Sequence, residues 1–103
     1  MPVRDRNEIF QRLRAHAAEM RALGVLRLGL FGSFLNQHQR ADSDVDLVVE
    51  LSDEARTFDR FLALADRLEG ILERRVDLLT PESLDSPLGR LIHTGVENVP
   101  LGA

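Results

Sequence analysis

The 103 residues carry 13 basic side chains against 17 acidic ones, a net charge of −4, with 44% hydrophobic and only 5% aromatic residues. A chain of this size supports one hydrophobic core and not two, and its acidic balance argues against sequence-independent polyanion binding. The absence of Cys excludes disulfides, thiolate metal sites and a Cys nucleophile, and because every basic residue is Arg, Schiff-base chemistry and a P-loop lysine are excluded as well.

The N-terminus, MPVRDRNEIF, has no apolar signal region, and no apolar run approaches the roughly 20 residues of a membrane span, so a cytoplasmic protein with no membrane contact is expected. No linker or repeat divides residues 1–103, which read as one domain. From Asp5, the apolar residues Ile9, Phe10, Leu13, Ala17, Met20 and Leu23 recur at helical spacing. Asp5 and Glu8 stand as in a capping box, and Gly24 supplies the stop. Val25 to Phe31 is too short for another helix and reads as a strand ended by Gly32-Ser33. The polar stretch Phe34 to Asp42 has room for a short helix opening at Ser33 and then a loop. Val45 to Leu51 is the second strand. Ser52 or Asp53 then caps a helix with the stripe Phe58, Phe61, Leu62, Ala65 and Leu68, ended by Gly70. A third strand, Arg75 to Leu79, precedes Thr80-Pro81 and a last helix marked by Leu84, Leu88, Leu91 and Ile92. The order of elements predicts an α/β fold, a small mixed sheet with helices packed on it.

The chemistry concentrates at the strand edges. Side chains alternate along a strand, so Asp44 and Asp46 project from one face while Val45, Leu47 and Val49 anchor the other. At about 7 Å apart along the backbone, the two carboxylates can converge on one hard cation. In the third strand Asp77 stands among Val76, Leu78 and Leu79; if the strands are neighbours it joins the pair, giving three carboxylates suited to two Mg²⁺ ions. Alternation by itself also describes a strand with one wet face. An EF-hand loop from Asp42 fails because Leu47 occupies the position of the required Gly. The upstream Gly32-Ser33 pair adds an anion seat: a residue without Cβ, then a hydroxyl and an amide at a possible helix start. His38 has no His or Cys partner at a ligand spacing, which argues against zinc.

Leu30-Phe31-Gly32-Ser33, ten intervening residues, then Asp44-Val45-Asp46-Leu47, with Asp77 downstream, resembles the minimal nucleotidyltransferases of the DNA polymerase β superfamily. The resemblance implies a polymerase β palm-type fold, a triphosphate held at Gly32 and Ser33, and two Mg²⁺ held by Asp44, Asp46 and Asp77, with Asp77 also able to accept the proton of the attacking hydroxyl. Family members commonly read Gly-Ser-x-Ala-Arg-Gly, and here Asn36 and Gln37 stand at the Arg and second Gly positions. Arg40 could replace the lost charge, and Arg74 and Arg75 could also reach phosphate. Minimal members are often paired with a small HEPN-type protein as toxin and antitoxin, which implies transfer of AMP from ATP to a tyrosine of that partner. The departures at Asn36 and Gln37 leave a second reading, a catalytically weak antitoxin that blocks its partner by binding; a third is a homo-oligomer modifying a small-molecule hydroxyl. No direct nucleic-acid binding is expected.

Overall fold

The computed structural model describes residues 1–36, 39–40, 42–81 and 95–101. Helix α1 (Arg6–Ala15) is capped by Asp5, whose Oδ1 accepts the Glu8 N–H at 2.9 Å. Glu8 does not return its carboxylate to the cap; it accepts the Arg4 N–H at 2.7 Å and pairs with the Arg4 guanidinium at 2.9 Å. The single helix expected as far as Leu23 is broken at His16, and α2 (Ala17–Ala22) follows. The His16 N–H donates to both Arg12 and Leu13 carbonyls, and the ring Nδ1 lies 2.9 Å from the same Arg12 oxygen. A side chain competing for that carbonyl closes the first helix, an effect that apolar periodicity does not register. Gly24, at φ +91°, ends α2 as expected.

Strands β1 (Val25–Phe31) and β2 (Val45–Leu51) have the limits the apolar runs predict and pair antiparallel, with Leu30 opposite Leu47 and Phe31 opposite Asp46. A register shift between Val25 and Arg27 leaves Leu26 exposed. After a 3-10 turn at Asp53–Ala55 comes α3 (Phe58–Leu72), whose N-cap Thr57 accepts the Arg60 N–H through Oγ1 at 3.2 Å. It is the crossover that lets β3 (Val76–Leu79) run parallel to β2. A two-residue strand, β4 (Glu97–Asn98), pairs antiparallel with β1 and completes the order β3-β2-β1-β4 among the described residues. The sequence reading had no β4, since two exposed residues carry no periodicity.

Other expectations are corrected here. Gly70 lies inside α3, which ends at Glu73 in the left-handed conformation, φ 55°. From Ser33 the chain makes a turn, with the Asn36 N–H donating to the Gly32 carbonyl at 3.1 Å, and not a short helix within the described residues. The stripe of α3 is also shifted: Phe58 and Leu62, placed in the core by periodicity, are 75% and 46% exposed, whereas Leu64, Leu68, Ile71 and Leu72 are buried. The last expected helix, over Leu84 to Ile92, lies outside the described residues.

Val45, Leu47 and Val49 are fully buried with Leu28, Leu30 and the inner faces of α1 and α3, so the core lies on the helical side of the sheet. Asp46, Val48 and Glu50 take the opposite face and are partly exposed. Among the described residues no polar or charged side chain is buried, and no helix is long and apolar enough to cross a membrane.

The observed stripe is testable by truncation. Leu68→Ala should cost about 2–5 kcal/mol in urea denaturation, as buried leucines do, whereas Leu62→Ala should cost under about 1 kcal/mol. Equal losses would contradict the orientation of α3.

Candidate active site

Three neighbouring strands bring the candidate residues together. At the end of β1 the chain turns through Gly32 at φ +79°, and a Cβ built there would fall on the Asp46 carboxylate. Glycine is thus required twice at this position, for its backbone conformation and for its contact. Alternation on β2 sends Asp46 to the face away from the core, and the parallel register sets Asp77 of β3 directly beside it. Asp44 precedes β2, two residues before Asp46, and is exposed, as is Asp77. The Val45 N–H donates to the Arg75 carbonyl at 2.9 Å and starts the β2–β3 pairing. On the outer side of β3 the Glu69 carboxylate of α3 accepts the Val76 N–H at 2.9 Å, a partner for a backbone group next to Asp77.

The electrostatics follow from this crowding. Burial pushes the Asp46 carboxyl up from 3.8 to about 6, and the charges of Asp77 and Asp44 push the same way. Among the described residues no three His, Asp or Glu side chains already converge on one point. The donor set still fits a hard divalent cation: it is all carboxylate oxygen, and two of its members are exposed side chains.

The expected phosphate-side residues divide. Ser33 is half-buried in the turn after Gly32. Arg40 is exposed, and its backbone closes a turn onto the acid segment: its N–H donates to Ser43 Oγ at 2.7 Å and its carbonyl accepts the Ser43 N–H at 3.1 Å. Gln37 and His38 lie outside the described residues. Arg75 is exposed, but Arg74 points inward: Nε donates to the Val3 carbonyl at 2.6 Å, Nη1 to the Ser43 carbonyl at 3.5 Å, and the guanidinium lies 5.2 Å from the centre of the Phe34 ring. Phe34, read from sequence as part of a polar stretch, is fully buried. The apolar pair Phe34-Leu35 was the available signal for that; nothing in sequence marks the contacts of Glu69 or Arg74. A cavity of about 510 Å³ lies at the other end of β2, between Glu50, Phe58, Phe61 and Pro81, away from the acids.

With this geometry in hand, comparison with known proteins is informative. The model of the family described as polymerase beta, nucleotidyltransferase, matches residues 18–96. A protein adenylyltransferase, MntA, of Thermococcus cleftensis is 37% identical over 86 residues, which cover 82% of this chain and 86% of that protein. Among solved structures, a proposed minimal nucleotidyltransferase superposes with a TM-score of 0.68 at 30% identity, covering 88% of this chain and 94% of its own. A toxin-antitoxin structure with AMP-PNP gives 0.64 at 26% identity, covering 90% and 70%.

The crowding of Asp46 has a pH signature. A carboxyl whose folded pKa lies above its unfolded value favours the folded state only while protonated; the benefit is full below about 3.8 and is lost as pH rises through about 6. At pH 7.5 the charged group therefore works against the fold, and Asp46→Asn should stabilise the metal-free protein by about 1–2 kcal/mol, after discounting for solvent screening. The gain should shrink between pH 6 and pH 4. Thermal unfolding from pH 4 to pH 7.5 checks it, and an unchanged midpoint at pH 7.5 would contradict the raised carboxyl.

Proposed function

The chain belongs to the polymerase beta nucleotidyltransferase family, and from that premise we propose that it is a protein adenylyltransferase, moving AMP from ATP to a tyrosine of a HEPN-type toxin and serving as its antitoxin. The observation that carries this reading is the meeting of Gly32, Asp46 and Asp77 from three adjacent strands, a phosphate-accommodating turn set directly against a carboxylate cluster. It is supported by the 37% identity to a protein adenylyltransferase and by the likeness to a toxin-antitoxin structure with AMP-PNP. The chain contains no Tyr, so a tyrosine acceptor must come from another protein.

In this reading the Gly32-Ser33 turn seats the triphosphate through close backbone approach and the Ser33 hydroxyl. Arg40 contributes the positive charge that Asn36 lacks. Asp44, Asp46 and Asp77 would hold two Mg²⁺, which when bound supply charge neutralisation of the triphosphate and acidification of the acceptor hydroxyl. The acceptor oxygen attacks the α-phosphorus of ATP; the new P–O bond forms as the bond to the β-phosphate breaks, and pyrophosphate leaves with the electron pair. Asp77, exposed at the edge of the sheet, accepts the hydroxyl proton, while half-buried Asp46 is held by its register and serves binding.

Two variants divide binding from transfer. Asp77→Asn should lower adenylylation of the partner by about 10² or more while isothermal calorimetry finds ATP affinity in Mg²⁺ little changed. Gly32→Val forces a side chain into the Asp46 carboxylate and should lose ATP binding. With labelled ATP and Mg²⁺, the HEPN-type partner should carry the label and this chain none. A wild-type chain that inhibits its partner without labelling it would replace transfer with blocking by complex formation, the outcome that the departures at Asn36 and Gln37 favour.

A further inference from the structure

We infer that Arg74 is a positioning residue, which sets the spacing between the Gly32-Ser33 turn and the Asp44–Asp46 segment. The inference rests on the reading above, in which those two segments hold one metal–nucleotide complex. Arg74 precedes β3 and is partly buried behind the site. Its guanidinium carbon lies over the ring of Phe34, two residues beyond Gly32, at 5.2 Å from the ring centre. From the same plane Nη1 donates to the carbonyl of Ser43, the residue before Asp44, at 3.5 Å, and Nε donates to the Val3 carbonyl at 2.6 Å. Phe34 and Val3 are fully buried, and the Val3 N–H is itself bonded to the Leu72 carbonyl at 3.1 Å, so these two anchors are fixed in the core. A third, Ser43, is the one that carries an acid.

The two strand acids do not need such a brace. Asp46 and Asp77 are held beside each other by the β2–β3 register. Asp44 lies outside β2, at the end of a loop whose own closure is the Arg40–Ser43 turn. Its distance from the Gly32 turn therefore depends on what grips Ser43 and Phe34 together, and one planar group grips both. Only Arg suits this position: it can stack with its face while donating from its edge, whereas Lys offers a point charge without plane or fork. A displacement of about 1 Å in a reacting group can cost about 10²-fold, so a brace outside the site can govern it without touching a ligand.

The test is a calorimetric titration of the full chain with ATP at a series of fixed Mg²⁺ concentrations, in wild type, Arg74→Met, Arg74→Lys and Thr57→Ala. Thr57→Ala removes the cap of α3 and lowers the unfolding midpoint without touching this region. Arg74→Met should raise the Mg²⁺ concentration that half-saturates ATP binding by about tenfold or more, Arg74→Lys by less, and Thr57→Ala not at all, although its unfolding midpoint falls. Should Arg74→Met fail to fold, Arg74→Lys decides by the same criterion. Wild-type Mg²⁺ dependence in a folded Arg74 variant, or an equal shift in Thr57→Ala, overturns the positioning role alone. If the wild type takes up no ATP at any Mg²⁺ concentration, the adenylyl-transfer reading falls and this inference falls with it.

Discussion

Like charges forced onto one face of a sheet are the constraint around which this molecule is arranged. Asp46 and Asp77 are register partners on parallel strands, Asp44 lies two residues upstream of Asp46, and burial of Asp46 pushes its carboxyl up to about 6, with the charges of Asp77 and Asp44 acting the same way. The strands cannot relieve this by slipping. A one-residue shift of β2 would bury the acids and expose Val45, Leu47 and Val49, which are now fully buried. Burial of those three residues offsets the cost, and a half-buried carboxylate persists beside two exposed ones. Local sites that oppose stability in this way are where fold and function compete most directly.

Around the cluster, other contacts hold what the register does not. Gly32 abuts the Asp46 carboxylate because it has no side chain, so the turn after β1 is packed against the acid and not merely near it. Glu69 reaches from α3 to the backbone of β3 beside Asp77, and Arg74 joins the N-terminal segment, Phe34 and Ser43. Neither side chain belongs to the acid set. Each converts the rigidity of a buried element into the position of a group at the sheet edge.

How much of this was legible beforehand depended on the range of the interactions. The limits of β1 and β2, the cap at Asp5, the stop at Gly24 and the outward face of Asp46 are fixed within a few residues, by period-two alternation, local hydrogen bonding and backbone sterics, and they could be read directly. The Gly32-Ser33 and Asp44-x-Asp46 spacing further identified the family. The tertiary structure decided the rest. Periodicity placed Phe58 and Leu62 in the core of α3 and passed over Leu64, because which face of the helix is buried is decided by the sheet against which it packs. The break at His16, the pairing of β4, the burial of Phe34 and the reach of Arg74 to Ser43 across 31 residues depend on partners that the local pattern does not name. The sequence determined which carboxylates were candidates and that Asp46 faces away from the core; the strand order and register determined that Asp46 and Asp77 lie side by side, because proximity between distant segments is a property of packing and not of spacing along the chain.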